Sequence, residues 1–302
     1  MRALVVGASG QVGGALLDAL RARGHEATGT YAGHAVEGAW PLDIRDGNAV
    51  EHAVAFVKPD WIFCPAGLSH VDYCESHVEE AMAINRDGPL HLARMGQRFR
   101  ALFVYYSTDY VFDGAAGPYA EGDVPRPLNV YGRSKLEAER AILDAIPHAL
   151  VLRTSVVYGP ERQEKNFVYQ LIRACREGKP FRPVTDQRAS PTYNPDLAAA
   201  SVELCEQNAA GLYHVAGADT IDRWAFAELI VEAFALDGRY LSPGKTAELN
   251  QPAARPLAGG LRVDKAQAAV RTRLRGAALG LRAMRAAIPP HPTLSPSGGE
   301  GG

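Results

Sequence analysis

Tyr131 and Lys135 stand four residues apart in "LNVYGRSKLEAE", where a proline-rich loop gives way to what reads as a helix. Positions i and i+4 are neighbours on a helix, so the ammonium can lie near the phenol. A free phenol ionises near pH ~10 and is a poor proton donor or acceptor at neutrality. A fixed positive charge beside it favours phenolate, lowers that value and fits the group for acid–base work. A hydride arriving at a carbonyl carbon leaves negative charge on oxygen, and Tyr131 would supply the proton. A tyrosine packed against a neighbour with a solvated lysine gives the same spacing, so the pair carries weight only in company.

That company precedes it. The apolar run "ALFVYYS" reads as a strand and leads into "STDYVFDG", with the hydroxyls of Ser107 and Thr108 at its carboxyl end. Strand carboxyl ends are where doubly wound sheets bind ligands. Near the N-terminus "GASGQVG" sets glycines at 7, 10 and 13, directly after the apolar "RALVV" and at the start of a helix. Glycine lets the chain turn tightly and approach a pyrophosphate, and the helix start offers N–H groups and a positive dipole end. The placement favours dinucleotide binding over a merely structural turn. A site for NAD usually closes its second strand with an acid for the ribose 2′-hydroxyl. Here that place reads Thr28-Gly29-Thr30-Tyr31, with no carboxylate and no adjacent arginine, and NADP(H) is favoured over NAD(H). Asp43 and Ile44 follow an apparent loop where they can flank adenine, although Asp43 equally suits a loop-side helix cap.

These residues need a frame, and the chain supplies alternation. Val12, Leu16, Leu17 and Leu20 recur at helical spacing until Gly24, then "EATGTY" and "WIFCPAG" read as strands around a helix introduced by Asp46. Ser76 with Glu79 predicts a capping box ahead of "VEEAMAIN". "HALVLRTSVVYG" reads as a fifth strand. The fold class expected is α/β, a doubly wound parallel (Rossmann) sheet over residues 1–158, with segments near 196–216 returning to it. Residues 159–195 and 217–288 read as a smaller substrate-binding cap. The Pro/Ser/Gly-rich residues 289–302 read as a disordered tail.

The 302 residues carry a net charge of −2 and are 47% hydrophobic, which gives no electrostatic reason to expect nucleic acid or a membrane surface as partner. No run suits a signal peptide or membrane span, so a cytoplasmic location is expected. Four cysteines without CxxC spacing, and His52, His77 and His91 at no ligand spacing, point to no disulfide framework and no metal.

Taken together, "GASGQVG", "LDI", "VDYCE", "STDYVFDG", "PLNVYGRSKLEAE", "RTSVVYG", "DQRASPTY" and "ARP" resemble the extended short-chain dehydrogenase/reductases, and more closely the dTDP-4-dehydrorhamnose reductases, over roughly residues 1–288. The resemblance implies NAD(P)H-dependent reduction of the C4 ketone of a nucleotide-linked 6-deoxy sugar. It makes Tyr131 the acid, Lys135 the residue that tunes it and holds the nicotinamide ribose, and Thr108 the group that positions the carbonyl. Gly7, Gly10, Gln11, Val12 and Gly13 would line the pyrophosphate, Asp43 and Ile44 the adenosine, and Ala66, Gly67 and Leu68 the ribose. Asp109 and Tyr110 would face the sugar. Asn85 would tie the sheet to Lys135 through water, and Asn166, Arg188 and Arg255 would contact the nucleotide or its diphosphate.

Two departures bear on the sugar: Val156 stands where such reductases often carry tryptophan, and Ala66-Gly67-Leu68-Ser69 replaces the usual Ala-Ala-Tyr-Thr. The same branch includes the regulatory beta subunit of methionine adenosyltransferase, so a cofactor-binding partner protein stays open. Epimerase or dehydratase work stays open too, with Asp109 as the extra acid or base. A homodimer is compatible with the resemblance.

Overall fold

Side chains alternate across a strand, so β1 (Arg2–Val6) sends Ala3 and Val5 to one face and Leu4 and Val6 to the other, and all four are buried. A strand buried on both faces needs a helical layer on each side. The computed structural model describes residues 1–288 and provides both layers; the tail expected over 289–302 lies outside the described residues. α1 (Gln11–Ala22), β2 (Glu26–Tyr31), β3 (Ala39–Pro41), α2 (Gly47–Val57) and β4 (Trp61–Cys64) follow β1. Then come α3 (Val71–Ser76), α4 (Val78–Met82), α5 (Gly88–Arg98), β5 (Leu102–Thr108), α6 (Val130–Ala145) and β6 (Leu150–Thr154).

The second half adds β7 (Val157–Tyr158), α7 (Phe167–Arg176), β8 (Arg188–Ala189), β9 (Thr192–Tyr193), α8 (Asn194–Glu206) and β10 (Gly211–His214). β11 (Ile221–Asp222), α9 (Arg223–Phe234), α10 (Asp264–Ala269) and α11 (Ala277–Ala287) complete it. Seven parallel strands form the sheet in the order β10-β6-β5-β4-β1-β2-β3. The order runs outward in both directions from β1, which opens a crevice at the carboxyl ends of β1 and β4. Leu16, Leu17 and Leu20 of α1 and Leu197 of α8 cover one face; Val50, Val54, Leu92 and Ile142 cover the other. A separate core of Tyr158, Leu171, Phe226, Ile230 and Leu281 holds α7, α9 and α11 together.

Two local expectations fail for identifiable reasons. Ser76 does not cap α4: its hydroxyl donates to the Tyr73 carbonyl at 3.2 Å in the last turn of α3, and His77 takes the cap position without a side-chain bond. A hydroxyl so close to a free helix-end carbonyl satisfies that acceptor first. The fifth strand also stops early. β6 ends at Thr154, and Ser155 turns its hydroxyl onto the Asp109 carboxylate, so Val157 and Tyr158 pair with β9 instead. Asp46, in contrast, caps α2 as expected, accepting from the amides of Asn48 and Ala49. Among the described residues no helix is long and apolar enough to cross a membrane.

Candidate functional site

The glycine loop is built for close backbone approach. Gly7 has φ of +98°, a conformation side chains disfavour, and a Cβ there would lie 2.9 Å from Ala66 Cα. At Gly13 a Cβ would lie 2.2 Å from the Gly7 carbonyl oxygen. Gly10 stands at the cap position just before α1, whose first N–H groups have no partner within the helix. Val12 packs its side chain against the sheet core and offers the loop its backbone alone. Gly13→Ala is expected to push the loop apart, cost about 1–3 kcal/mol and abolish dinucleotide binding. Thermal melting and quenching of protein fluorescence by NADPH would check both.

A cavity of about 200 Å³ lies at the crevice, and its wall contains Gly7, Asp43, Ile44, Ala66, Gly67 and Leu68 together. Asp43 is ion-paired with Arg45 at 2.6 Å, and that guanidinium holds its carboxyl below the usual range. Next to it a cavity of about 740 Å³ brings Gln11, Thr108, Asp109, Tyr110, Tyr131, Asn166 and Arg255 onto one wall. Gln11 Oε1, Ser107 Oγ and Thr154 Oγ1 line it as buried polar atoms with no protein partner. Buried polar atoms are rarely left unpaired, so this wall suits a polar ligand. The loop that only glycine fits and these unpaired atoms match a dinucleotide's phosphates and its amide head group. A larger groove of about 960 Å³ starts at the same loop, at Ala8, Ser9, Gly10 and Gln11, and runs along α1 beside Pro160, Glu161 and Asn194, but contains neither Tyr131 nor Thr108.

Asn85 sits in a one-turn π-helical segment, Ala83–Asp87, between α4 and α5. The widened turn aims its amide inward: Oδ1 accepts from Leu68 N at 2.8 Å and Nδ2 donates to Ser134 Oγ at 3.0 Å. The Asn85 carbonyl accepts from Tyr105 OH at 2.7 Å, and Lys135 Nζ lies 4.2 Å from the centre of that tyrosine ring. Lys135 is buried, and burial pushes its ammonium down to about 8, opposed by Cys64 and Glu139.

Here the expected acidification of Tyr131 is not met. Burial is the largest influence on its phenol and raises it well above the ordinary value; the Thr108 hydroxyl opposes, while Asp109 and Tyr110 reinforce. Lys135 directs its charge onto the Tyr105 ring and does not offset that desolvation. At neutrality Tyr131 is therefore a protonated donor. Asp109 is buried as well, and burial pushes its carboxyl up to about 6 against hydrogen bonds from Ser155 and Thr108.

A lysine whose folded value lies below its unfolded one binds less proton when folded. The Lys135 contribution to stability therefore rises with pH between about 8 and the ordinary value of 10.5. We expect Lys135→Met to stabilise the cofactor-free chain at pH 7, with the gain shrinking toward pH 10.5. The difference between wild-type and variant unfolding curves isolates this group from the others that titrate there.

The remaining candidates divide. Arg255 borders the cavity but is ion-paired with Asp72 at 2.7 Å, which fastens the cap to α3. Asn166 also borders it, yet its side-chain oxygen caps α7 and its amide donates to the Gly159 carbonyl. Arg188 departs from expectation: it is exposed, donates to the Thr220 carbonyl at 3.1 Å and is absent from the cavity wall. Arg223 and Gln187, not singled out from sequence, line the cavity joined by a 2.6 Å hydrogen bond. No spacing links them to the Tyr131 motif; they arrive through the folding of the cap.

A family model described as RmlD substrate binding domain matches residues 1–288. The chain belongs to that family. It is 36% identical over 262 residues to a dTDP-4-dehydrorhamnose reductase of Streptomyces griseus, covering 84% of this chain and 83% of that protein. It is 32% identical over 249 residues to methionine adenosyltransferase 2 subunit beta of Bos taurus, covering 80% and 75%. A crystal structure of a dTDP-4-dehydrorhamnose reductase from Bacillus anthracis in complex with NADP superposes with a TM-score of 0.86 at 29% identity, covering 94% of this chain and 98% of that one. Among RmlD-family chains of this kind the protein is an NAD(P)-dependent oxidoreductase.

Proposed function

We propose that the chain reduces the C4 ketone of a nucleotide-linked 4-keto-6-deoxy sugar, with NADP(H) favoured over NAD(H) and with Tyr131 as proton donor. The supporting observation is one cavity wall that joins Tyr131, Thr108 and Asp109 and adjoins the glycine loop. The nicotinamide supplies the hydride. Tyr131 OH and Thr108 Oγ1 donate toward the ketone oxygen, and the neutral phenol passes its proton there as charge develops. Lys135, one helical turn on from Tyr131, is the cation assigned to favour the phenolate left after transfer and to hold the nicotinamide ribose. Gly7, Gly10, Gln11, Val12 and Gly13 hold the pyrophosphate, Asp43 and Ile44 the adenosine side, and Ala66, Gly67 and Leu68 border the ribose. Asp109 and Tyr110 face the sugar, where Val156 leaves room that a tryptophan would fill. A cytoplasmic location fits this substrate class.

The test is direct: mix the protein with NADPH and a dTDP-4-keto-6-deoxyhexose, and follow absorbance of the reduced cofactor. Turnover supports the reductase. Tight NADPH binding without turnover favours a regulatory subunit like the bovine relative, and reaction without net cofactor consumption favours epimerase or dehydratase work using Asp109.

A further inference from the structure

The adenosine ribose of a bound dinucleotide must bridge the small cavity, whose wall includes Ala32, Asp43 and Gly7, and the glycine loop with its pyrophosphate. That places it between Ser9 and the chain leaving β2. The strand end holds no carboxylate to accept from a 2′-hydroxyl or to repel a 2′-phosphate. Cap residues 160–166 run past this point and are fastened to it. Gln163 donates to the Ser9 carbonyl at 2.8 Å, and Asn194 donates to the carbonyls of Gln11 at 3.1 Å and Pro160 at 2.9 Å. Glu161 closes the turn by accepting from the amide of Lys165 at 2.8 Å and from that of Asn166.

This geometry carries Lys165 Nζ to 3.5 Å from His34 Nε2, across 131 positions of sequence. Both side chains belong to exposed residues, and among the described residues neither forms an ion pair with a carboxylate. Two basic groups brought together without an anion are mutually unfavourable when both are charged. A phosphate between them removes the repulsion and accepts from both. We propose that Lys165 and His34 grip the 2′-phosphate of NADP(H) and set the cofactor preference. The inference rests on the dinucleotide reading above.

Titrating NADPH and NADH separately into the full chain, with the fluorescence of the bound nicotinamide as readout, tests it without any substrate. Wild type binds NADPH more tightly than NADH. Lys165→Met weakens NADPH by about 10-fold, the size of one charge-assisted hydrogen bond, and leaves NADH within about twofold. His34→Ala narrows the preference in the same direction, and Lys165→Arg retains it. Both positions are exposed, so the variants melt with wild type. Equal weakening of both dinucleotides would place the ammonium on the shared pyrophosphate and overturn the proposal, as would no change with either. Wild type that binds neither dinucleotide overturns the cofactor reading itself, and this proposal with it.

Discussion

Tyr131→Phe is expected to bind NADPH as wild type does and to lose about 10²–10⁴-fold in turnover, the usual contribution of a positioned general acid. The substitution removes one oxygen and keeps the ring, which packs edge-on against Tyr110 with centroids 5.9 Å apart. The hydroxyl is therefore the only thing lost. Burial keeps that phenol protonated at neutrality, so what disappears is a proton donor and not a nucleophile or a base. Stopped-flow reduction at saturating NADPH, alongside a binding titration, separates the two effects. A variant that retained most of its turnover would remove Tyr131 from the chemistry.

Glu139→Gln should be the most damaging substitution away from the reacting groups. Glu139 lies one turn beyond Lys135 on α6, and its carboxylate receives Arg153 Nη2 at 2.6 Å and Nε at 2.9 Å. Both side chains are almost fully buried, at 4% and 3% exposure. Arg153 Nη1 also reaches His214 Nε2 at 3.5 Å, while His214 Nδ1 faces the Tyr119 carbonyl at 3.1 Å. Burial, aided by Arg153, pushes His214 down to about 4, so at neutrality it is uncharged: Nδ1 donates to the carbonyl and Nε2 accepts from arginine.

Gln at 139 strands the guanidinium in an apolar setting against Phe112. The cost of breaking a buried pair in this way is about 3–5 kcal/mol. Urea unfolding should show it as a shifted midpoint at unchanged slope. A paired replacement, Glu139→Leu with Arg153→Met, should recover most of the loss, because it leaves no charge buried alone. If the single variant unfolded at the wild-type midpoint, this network would not be what seats α6 on β6.

The site was legible in sequence wherever the requirement is local. The glycines at 7 and 13 were readable because the backbone there tolerates no Cβ, and such a need is written into one residue type at one turn. The strand ends at Val6 and Thr108 followed from short apolar runs buried on both faces. Asp46 announced α2 because its cap bonds span only two and three residues. Ser76 misled because its motif competes with a nearer acceptor, the carbonyl of Tyr73, which only the end of α3 creates. Arg188 misled because a charge in a motif says nothing about which way a two-residue strand presents it.

By itself, then, the amino-acid order determined the parallel sheet, the glycine cradle and the pairing of tyrosine with lysine on one helix, all set by spacings of a few residues. Tertiary structure alone decided that burial keeps Tyr131 protonated and lowers the Lys135 ammonium to about 8, that Arg223 and Gln187 join the cavity, and that Lys165 meets His34. The physical reason is range. Backbone geometry and helical period act between near neighbours, whereas desolvation and the meeting of charges depend on every segment that packs around a group, including those more than a hundred residues away.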